Sequence, residues 1–340
     1  MCPSILLVDV ASSESANWKS FLQNQCYEVF TADDRDNALR QCLQLQPDLV
    51  LLHDSLPDVD GFELCRRLKE NPFNELVPVV LVMPSSDPSD ILRARTAGAA
   101  DFWGACASLE EGLSRVQSLL RLKSYIDEQA KSVVLSLARS IEAKHPLTGG
   151  HSDRMAEYAV QLGERLGLQE EELRDLRVAC LLHDIGKVAV PDEILLKPGP
   201  LDANEMEIVK QHPITGEEIC APLKSLRHIL PVIRHHHERM DGSGYPDGLR
   251  GTQIPLKARL LQIADIYDAL ITDRPYRIAL SRDEALQILQ CEAMRGWLDS
   301  FLVSQFSCIR QSDENYVGTS RSMLASYFGG SHAPGNATPS

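Results

Sequence analysis

The sequence predicts an α/β domain with a five-stranded, parallel, doubly wound sheet, followed by an all-α helical bundle. Three observations carry this. Short runs rich in Val, Ile and Leu alternate with amphipathic stretches up to about residue 122. Beyond that point the strand-like runs stop and helix-length amphipathic segments follow one another. Eight of the ten histidines fall between His145 and His237, inside the helical part. At 340 residues the chain is long enough for two domains with their own cores.

The apolar runs Ile5–Val8, Leu49–Leu52 and Val79–Val82 read as strands buried on both faces, which implies a parallel sheet. Between them, Ser15–Asn24, Asp36–Leu45, Gly61–Glu70 and Ser89–Ala97 read as helices. Alternating strands and helices give the doubly wound order. Pro47-Asp48 and Leu56-Pro57-Asp58-Val59-Asp60-Gly61 supply turns. From Ser108 to Lys144, Leu109, Leu113, Val116, Leu120, Val133, Val134, Leu137 and Ile141 recur at three- and four-residue steps. A long amphipathic helix follows. A homodimer seam and plain packing against the domain both fit this pattern.

The second half reads as His151–Gly167, Glu170–Asp184, Glu205–His212, Pro213–Cys220, Leu226–His237, Pro255–Leu270 and Arg282–Met294, all helical. Asp202 and Glu205 have capping-box spacing. Short Gly/Pro loops between such helices favour a bundle. Residues 312–340, rich in Ser, Gly, Pro and Asn, read as a disordered tail.

Composition narrows the function classes. A formal net charge of −14 argues against general nucleic-acid or anionic-membrane binding. An anionic substrate then needs local cations or metal. Nine cysteines without a Cys-x-x-Cys pair suggest reduced, mostly buried thiols. No apolar run approaches the roughly 18 residues of a membrane span, and the start lacks the basic n-region of a signal peptide. A cytoplasmic location is expected.

Two runs carry the chemistry: Ala179-Cys-Leu-Leu-His183-Asp184-Ile-Gly-Lys187, and His235-His236-His237-Glu238-Arg-Met-Asp241-Gly242-Ser-Gly244-Tyr245-Pro246. Imidazole is a common ligand of divalent metals, and an adjacent carboxylate can bridge two ions. Asp265, inside Leu260-Leu-Gln-Ile-Ala-Asp-Ile, is costly to bury without a metal or a cation.

These runs resemble the HD-GYP family, a branch of the HD metal-dependent phosphohydrolases whose members hydrolyse cyclic di-GMP. The resemblance covers about Ser136 to Phe306. It implies a metal centre of His151, His183, Asp184, His212, His236, His237 and Asp265, with Asp184 bridging. Some members hold a third metal through a glutamate one turn before the first histidine. Here that place is Leu147, so two metals are expected, Fe or Mn, with Ni or Zn also compatible with the ligand types. The resemblance further implies that Lys187, Arg274 and Arg277 contact substrate phosphates, and that Tyr245 stacks on guanine or presents a protein-binding surface. The expected reaction is two-metal phosphodiester hydrolysis giving pGpG, with GMP after a second cut. A cyclic-dinucleotide-binding or docking module, and a phosphodiesterase for cyclic GMP-AMP, stay open as alternatives.

Residues 1–122 resemble the receiver domain of bacterial response regulators, without its chemistry. The acidic pair expected after the first strand is Asp9-Val10. The phosphoacceptor position is His53, with Asp54 one residue late. The expected hydroxyl is Met83 and the expected lysine is Ala105. The resemblance thus implies a degenerate receiver with no phosphoacceptor, against the alternative that Asp54 or His53 takes a phosphoryl group. A receiver at 1–122, a linker helix at 123–135, a phosphodiesterase domain at 136–311 and the tail complete the expected organisation, with other signalling proteins as partners of the receiver or of the Gly-Tyr-Pro loop.

Overall fold

The structure, a computed structural model, describes residues 2–9, 13–54, 56, 60–71, 74–83, 87–104, 108–144, 150–273 and 278–311. The expectations placed on Val10, Pro57, Ala105, His145, Leu147, Arg274, Arg277 and the tail 312–340 fall outside these residues.

Five strands, β1 (Ser4–Val8), β2 (Glu28–Ala32), β3 (Leu49–His53), β4 (Val79–Met83) and β5 (Asp101–Gly104), form one parallel sheet in the order β2-β1-β3-β4-β5. Strand alternation decides which side each residue joins. Leu6, Val8, Val50, Leu52 and Leu81 enter one core, with Ala38 and Cys42 of α2 (Arg35–Leu45), Leu64 and Leu68 of α3 (Gly61–Glu70) and Ala94 of α4 (Pro88–Thr96). Ile5, Leu7, Leu49, Leu51 and Val80 enter the other, with Trp18 and Leu22 of α1 (Ser13–Asn24) and Val116 of α5 (Leu109–Lys144). Both faces are therefore covered, as a parallel sheet requires. His53 closes β3, and Met83, buried, closes β4.

Asp34 caps α2 by accepting the Asn37 amide at 2.7 Å, a contact worth about 1 kcal/mol. The long helix expected over 108–144 is present as α5. Its first part buries Val116, while Leu122, Tyr125, Ile126, Val133 and Leu137 are exposed.

The second half is helical: α6 (His151–Arg165), α7 (Glu170–Leu182), α8 (Asp192–Leu195), α9 (Ala203–Val209), α10 (His212–Cys220), α11 (Leu230–His235), α12 (Leu256–Ile271), α13 (Arg282–Met294) and α14 over 300–311. Asp202 and Glu205 form the expected capping box on α9, at 2.9 and 2.8 Å. The single helix expected over Leu226–His237 is instead a 3₁₀ turn, Lys224–Ile229, followed by α11. Pro231 explains the break, since it has no N–H to give and fits only the first turn of a new helix.

The described residues fall into two compact units, those within 1–134 and 220–227, and those within 135–219 and 228–311. The expectation of mostly buried thiols needs correcting. Cys42, Cys65, Cys180 and Cys220 are buried, but Cys2, Cys26, Cys291 and Cys308 are exposed, and all are free. The exposed ones lie near the chain start, in the turn after α1 and on the outer faces of α13 and α14, where no core needs a side chain.

Candidate metal centre and active site

The amphipathic helices of the second half bury their apolar faces, and that packing brings their ends together. His151 is the first residue of α6. His183 and Asp184 follow α7 directly and lead into a 3₁₀ turn, Ile185–Ala189. His212 opens α10, and His236 and His237 follow α11. Asp265 lies within α12. These residues form two ligand groups, Asp184 with His212, His236 and His237, and His151 with His183 and Asp265. Within each group the ligand atoms lie within 4.8 Å of one another.

Local hydrogen bonds set the tautomers. Nδ1–H of His183 donates to the Cys180 carbonyl (2.8 Å), that of His212 to Val209 (2.7 Å) and that of His236 to Ile233 (2.6 Å). A carbonyl only accepts, so Nδ1 carries the proton and Nε2 is left with a lone pair. Nε2 of His212 and Nε2 of His236 then face each other at 3.3 Å, two acceptors with nothing to accept. Asp184 lies between the groups: Oδ2 is 3.2 Å from His183 Nε2 and Oδ1 is 3.2 Å from His212 Nε2. Oδ1 is buried and makes no hydrogen bond. Converging lone pairs and an orphaned buried carboxylate oxygen fit a divalent cation and fit little else. With imidazole and carboxylate donors and no thiolate, the residues suit divalent metal.

The electrostatics agree for His236 and His237, whereas at His183 burial lowers the imidazole but the adjacent Asp184 carboxylate outweighs it and raises it above its usual range. Burial, together with the neighbouring His212, pulls His237 down to about 3, and burial holds His236 well below the usual imidazole range, so both are neutral and able to coordinate. His151 goes the other way. Burial lowers it, but hydrogen bonds to Asp265 and Asp268 outweigh burial and raise it to about 10. Burial pushes Asp265 up, and its His151 contact overrides this to bring it down to about 2.

Sequence reading missed Asp268. Its Oδ2 lies 2.6 Å from His151 Nδ1, and Arg154 clamps the same carboxylate at 2.8 and 2.9 Å. This carboxylate fixes the His151 ring from behind, an arrangement common around metal-binding histidines. A signal was available: Asp265 and Asp268 are one turn apart on an apolar helix, and His151 and Arg154 are one turn apart on another. Glu238 was also passed over. It is fully buried and accepts the amides of Asp247 (2.7 Å), Gly248 (3.0 Å) and Leu249 (3.1 Å), which shapes the Gly-Tyr-Pro loop. Gly244 passes so near the backbone that a Cβ would stand 2.3 Å from the Arg239 nitrogen. The loop lays the Tyr245 ring on His237, with centroids 4.8 Å apart.

Of the other expected residues, Lys187 lies 2.5 Å from Asp184 Oδ2 and lines a cavity of about 480 Å³ with His151, Asp184, His237 and Asp265. Ile141, Leu181, Ile185 and Leu201 give that cavity an apolar wall. His235 pairs with Asp247 at 2.9 Å and His228 with Asp175 at 2.6 Å, away from both groups. Among the described residues no helix is long and apolar enough to cross a membrane.

Comparison with known proteins agrees with this geometry. Residues 5–117 match the response regulator receiver domain, and residues 136–302 match the HD domain. The cyclic di-GMP phosphodiesterase response regulator RpfG of Xanthomonas campestris is 35% identical over 320 residues, covering 87% of this chain and 84% of its own. A probable cyclic di-GMP phosphodiesterase of Vibrio cholerae is 34% identical, covering 84% of this chain and 73% of its own. A 3'3'-cGAMP-specific phosphodiesterase of the same organism is 44% identical over 154 residues, which is 44% of this chain and 29% of that protein. With its receiver sheet, its two His/Asp groups and its Gly-Tyr-Pro loop, the chain belongs to the HD-GYP family of cyclic di-GMP phosphodiesterases, in the branch that carries a response-regulator receiver domain ahead of the HD domain.

Proposed function

We propose that the chain hydrolyses cyclic di-GMP to pGpG, and on to GMP, at a centre of two divalent ions, Fe or Mn. The observation that carries this is Asp184, whose two carboxylate oxygens each face a different ligand group. His151, His183 and Asp265 would hold one ion, and His212, His236 and His237 the other, with Asp184 shared. When bound, such ions supply Lewis acidity and lower the pKa of water.

The chain's own residues do the rest. Asp268 and Arg154 keep the His151 ring in place. Lys187, at the rim of the centre, offers its ammonium to the phosphoryl oxygens, where charge grows in the transition state. The apolar wall thins out water near the phosphodiester and so strengthens that interaction. Arg274 and Arg277, expected from the sequence to hold the phosphates, belong to the same reading.

The relatives specific for 3'3'-cGAMP favour a second reading, in which that dinucleotide is also cut. The test is product analysis after incubating purified full-length protein with several cyclic dinucleotides, under Mn²⁺ and under anaerobic Fe²⁺, with metal content measured alongside. Linear pGpG or GMP with about two metals per chain is expected. Fully loaded protein that leaves every cyclic dinucleotide intact sinks the enzyme reading in favour of a binding module.

A further inference from the structure

A second cavity, of about 470 Å³, adjoins the first, and His237 and Asp265 line both. Two cavities of similar size beside one ligand set suit a molecule whose two nucleoside halves are joined through phosphates. Their linings differ. The first sets Leu181, Leu195, Leu201 and Val209 beside the charged groups of the site, while the second holds Arg239, Glu292 and Trp297. The Arg239 guanidinium lies 4.0 Å from the centroid of the Trp297 ring. Backbone bonds at 3.0 Å tie Trp297 to Glu292 on one side and to Met240 on the other, so this corner is fixed. Glu292 is half-buried, and its side-chain carboxylate makes no hydrogen bond or ion pair among the described residues. Burial raises its carboxyl, against the pull of Arg239 and Arg295. A carboxylate in a cavity whose oxygens accept no hydrogen bond is costly unless a ligand completes it.

We propose that the second cavity is a guanine subsite, in which Arg239, backed by Trp297, gives a plane for the purine to stack on and Glu292 accepts from guanine N1–H and the exocyclic amino group. Guanidinium planes stack on aromatic rings, and an amino group at this edge is what sets guanine apart. Adenine has an acceptor at N1 and no amino group at C2, so it would leave Glu292 unpaired. Among the described residues the first cavity has no matching stack, so one half of the substrate is read there less closely than the other. The inference rests on the proposed function and names the residues that would read one guanine of its substrate.

The test compares Glu292→Gln and Trp297→Leu with the parent full-length chain. The first readout is kcat and KM on cyclic di-GMP, 3'3'-cGAMP and cyclic di-AMP with Mn²⁺. The second is calorimetric binding of GMP and AMP to metal-free protein. Glu292→Gln should raise KM for cyclic di-GMP by about 10- to 100-fold, as expected for loss of a charged hydrogen bond. Its kcat and melting temperature should stay unchanged, and its GMP affinity should fall while AMP binding does not. Trp297→Leu should weaken both nucleotides. Parent-like KM and GMP affinity in Glu292→Gln overturn the subsite even if hydrolysis stands. A parent protein that cuts no cyclic dinucleotide removes the functional reading. The subsite then falls as well, unless GMP still binds more tightly than AMP.

Discussion

A Cβ on Gly186 would stand 1.9 Å from the carbonyl oxygen of His212. The turn after Asp184 thus crosses the start of α10 at a distance only glycine permits, and this crossing sets Asp184 opposite the His212 ring. Gly186→Ala should cost about 3 kcal/mol through overpacking and should loosen metal binding at the His212 group. Thermal melting with and without Mn²⁺ checks this. An alanine variant with parent stability and full metal content would show that the crossing yields easily.

Asp184→Ala should remove both ions, because both ligand groups face the same carboxylate. Metal analysis should find close to none, and hydrolysis should fall by more than about 10²-fold, equivalent to roughly 3 kcal/mol of barrier. Full metal content in this variant would refute the bridge.

Lys187→Ala should keep the metal and slow hydrolysis by roughly 10²-fold. Its ammonium contacts Asp184 Oδ2 from the cavity side, so the ligand geometry has no other need of it. An unchanged rate would take Lys187 out of the chemistry.

Metal uptake should depend on pH through His151. In the metal-free protein two carboxylates raise this imidazole to about 10, so it holds a proton that a metal must displace. Because the folded-state value is raised, this proton stabilises the metal-free fold below the ordinary imidazole range, and the stabilisation is lost as pH rises towards 10. Metal affinity should therefore climb with pH, by about tenfold per unit for one displaced proton. Titration in weak buffer should show proton release on metal binding. Asp268→Asn removes one of the two carboxylates, so it should flatten the slope and cost about 10- to 100-fold in affinity. A slope that the variant leaves unchanged would assign the proton elsewhere.

The receiver should stay unphosphorylated. His53 ends β3 where an acceptor carboxylate would be, and Met83 ends β4 in place of a hydroxyl. Acetyl phosphate should add no mass and leave hydrolysis unchanged. One added phosphoryl group that disappears in the His53→Ala, Asp54→Ala double variant would contradict this.

Strands β1, β3 and β4 were legible because continuous Val/Ile/Leu runs have one physical explanation. β2, with the sequence Glu-Val-Phe-Thr-Ala, gave no such run, being an edge strand with solvated positions. The five histidines and two aspartates expected at the site were singled out by the family resemblance rather than by their type alone, and the structure gathers them into two groups that could hold a metal ion. Asp268 was hidden because its task is to hold another side chain, which only the meeting of α6 and α12 reveals. The Arg239–Trp297–Glu292 corner was hidden for a similar reason, as Arg239 lies more than fifty residues from Glu292 and Trp297 in sequence and shares no motif with them.

Three ligand histidines donate Nδ1–H to the carbonyl three residues earlier, each at a helix end or start. Which nitrogen faces the centre is then decided by where α7, α9 and α11 stop. Because this choice is made within a few residues of backbone, the rings need no ion to set their tautomers. Rings fixed in this way would present the same nitrogen atoms to whichever divalent ion arrived.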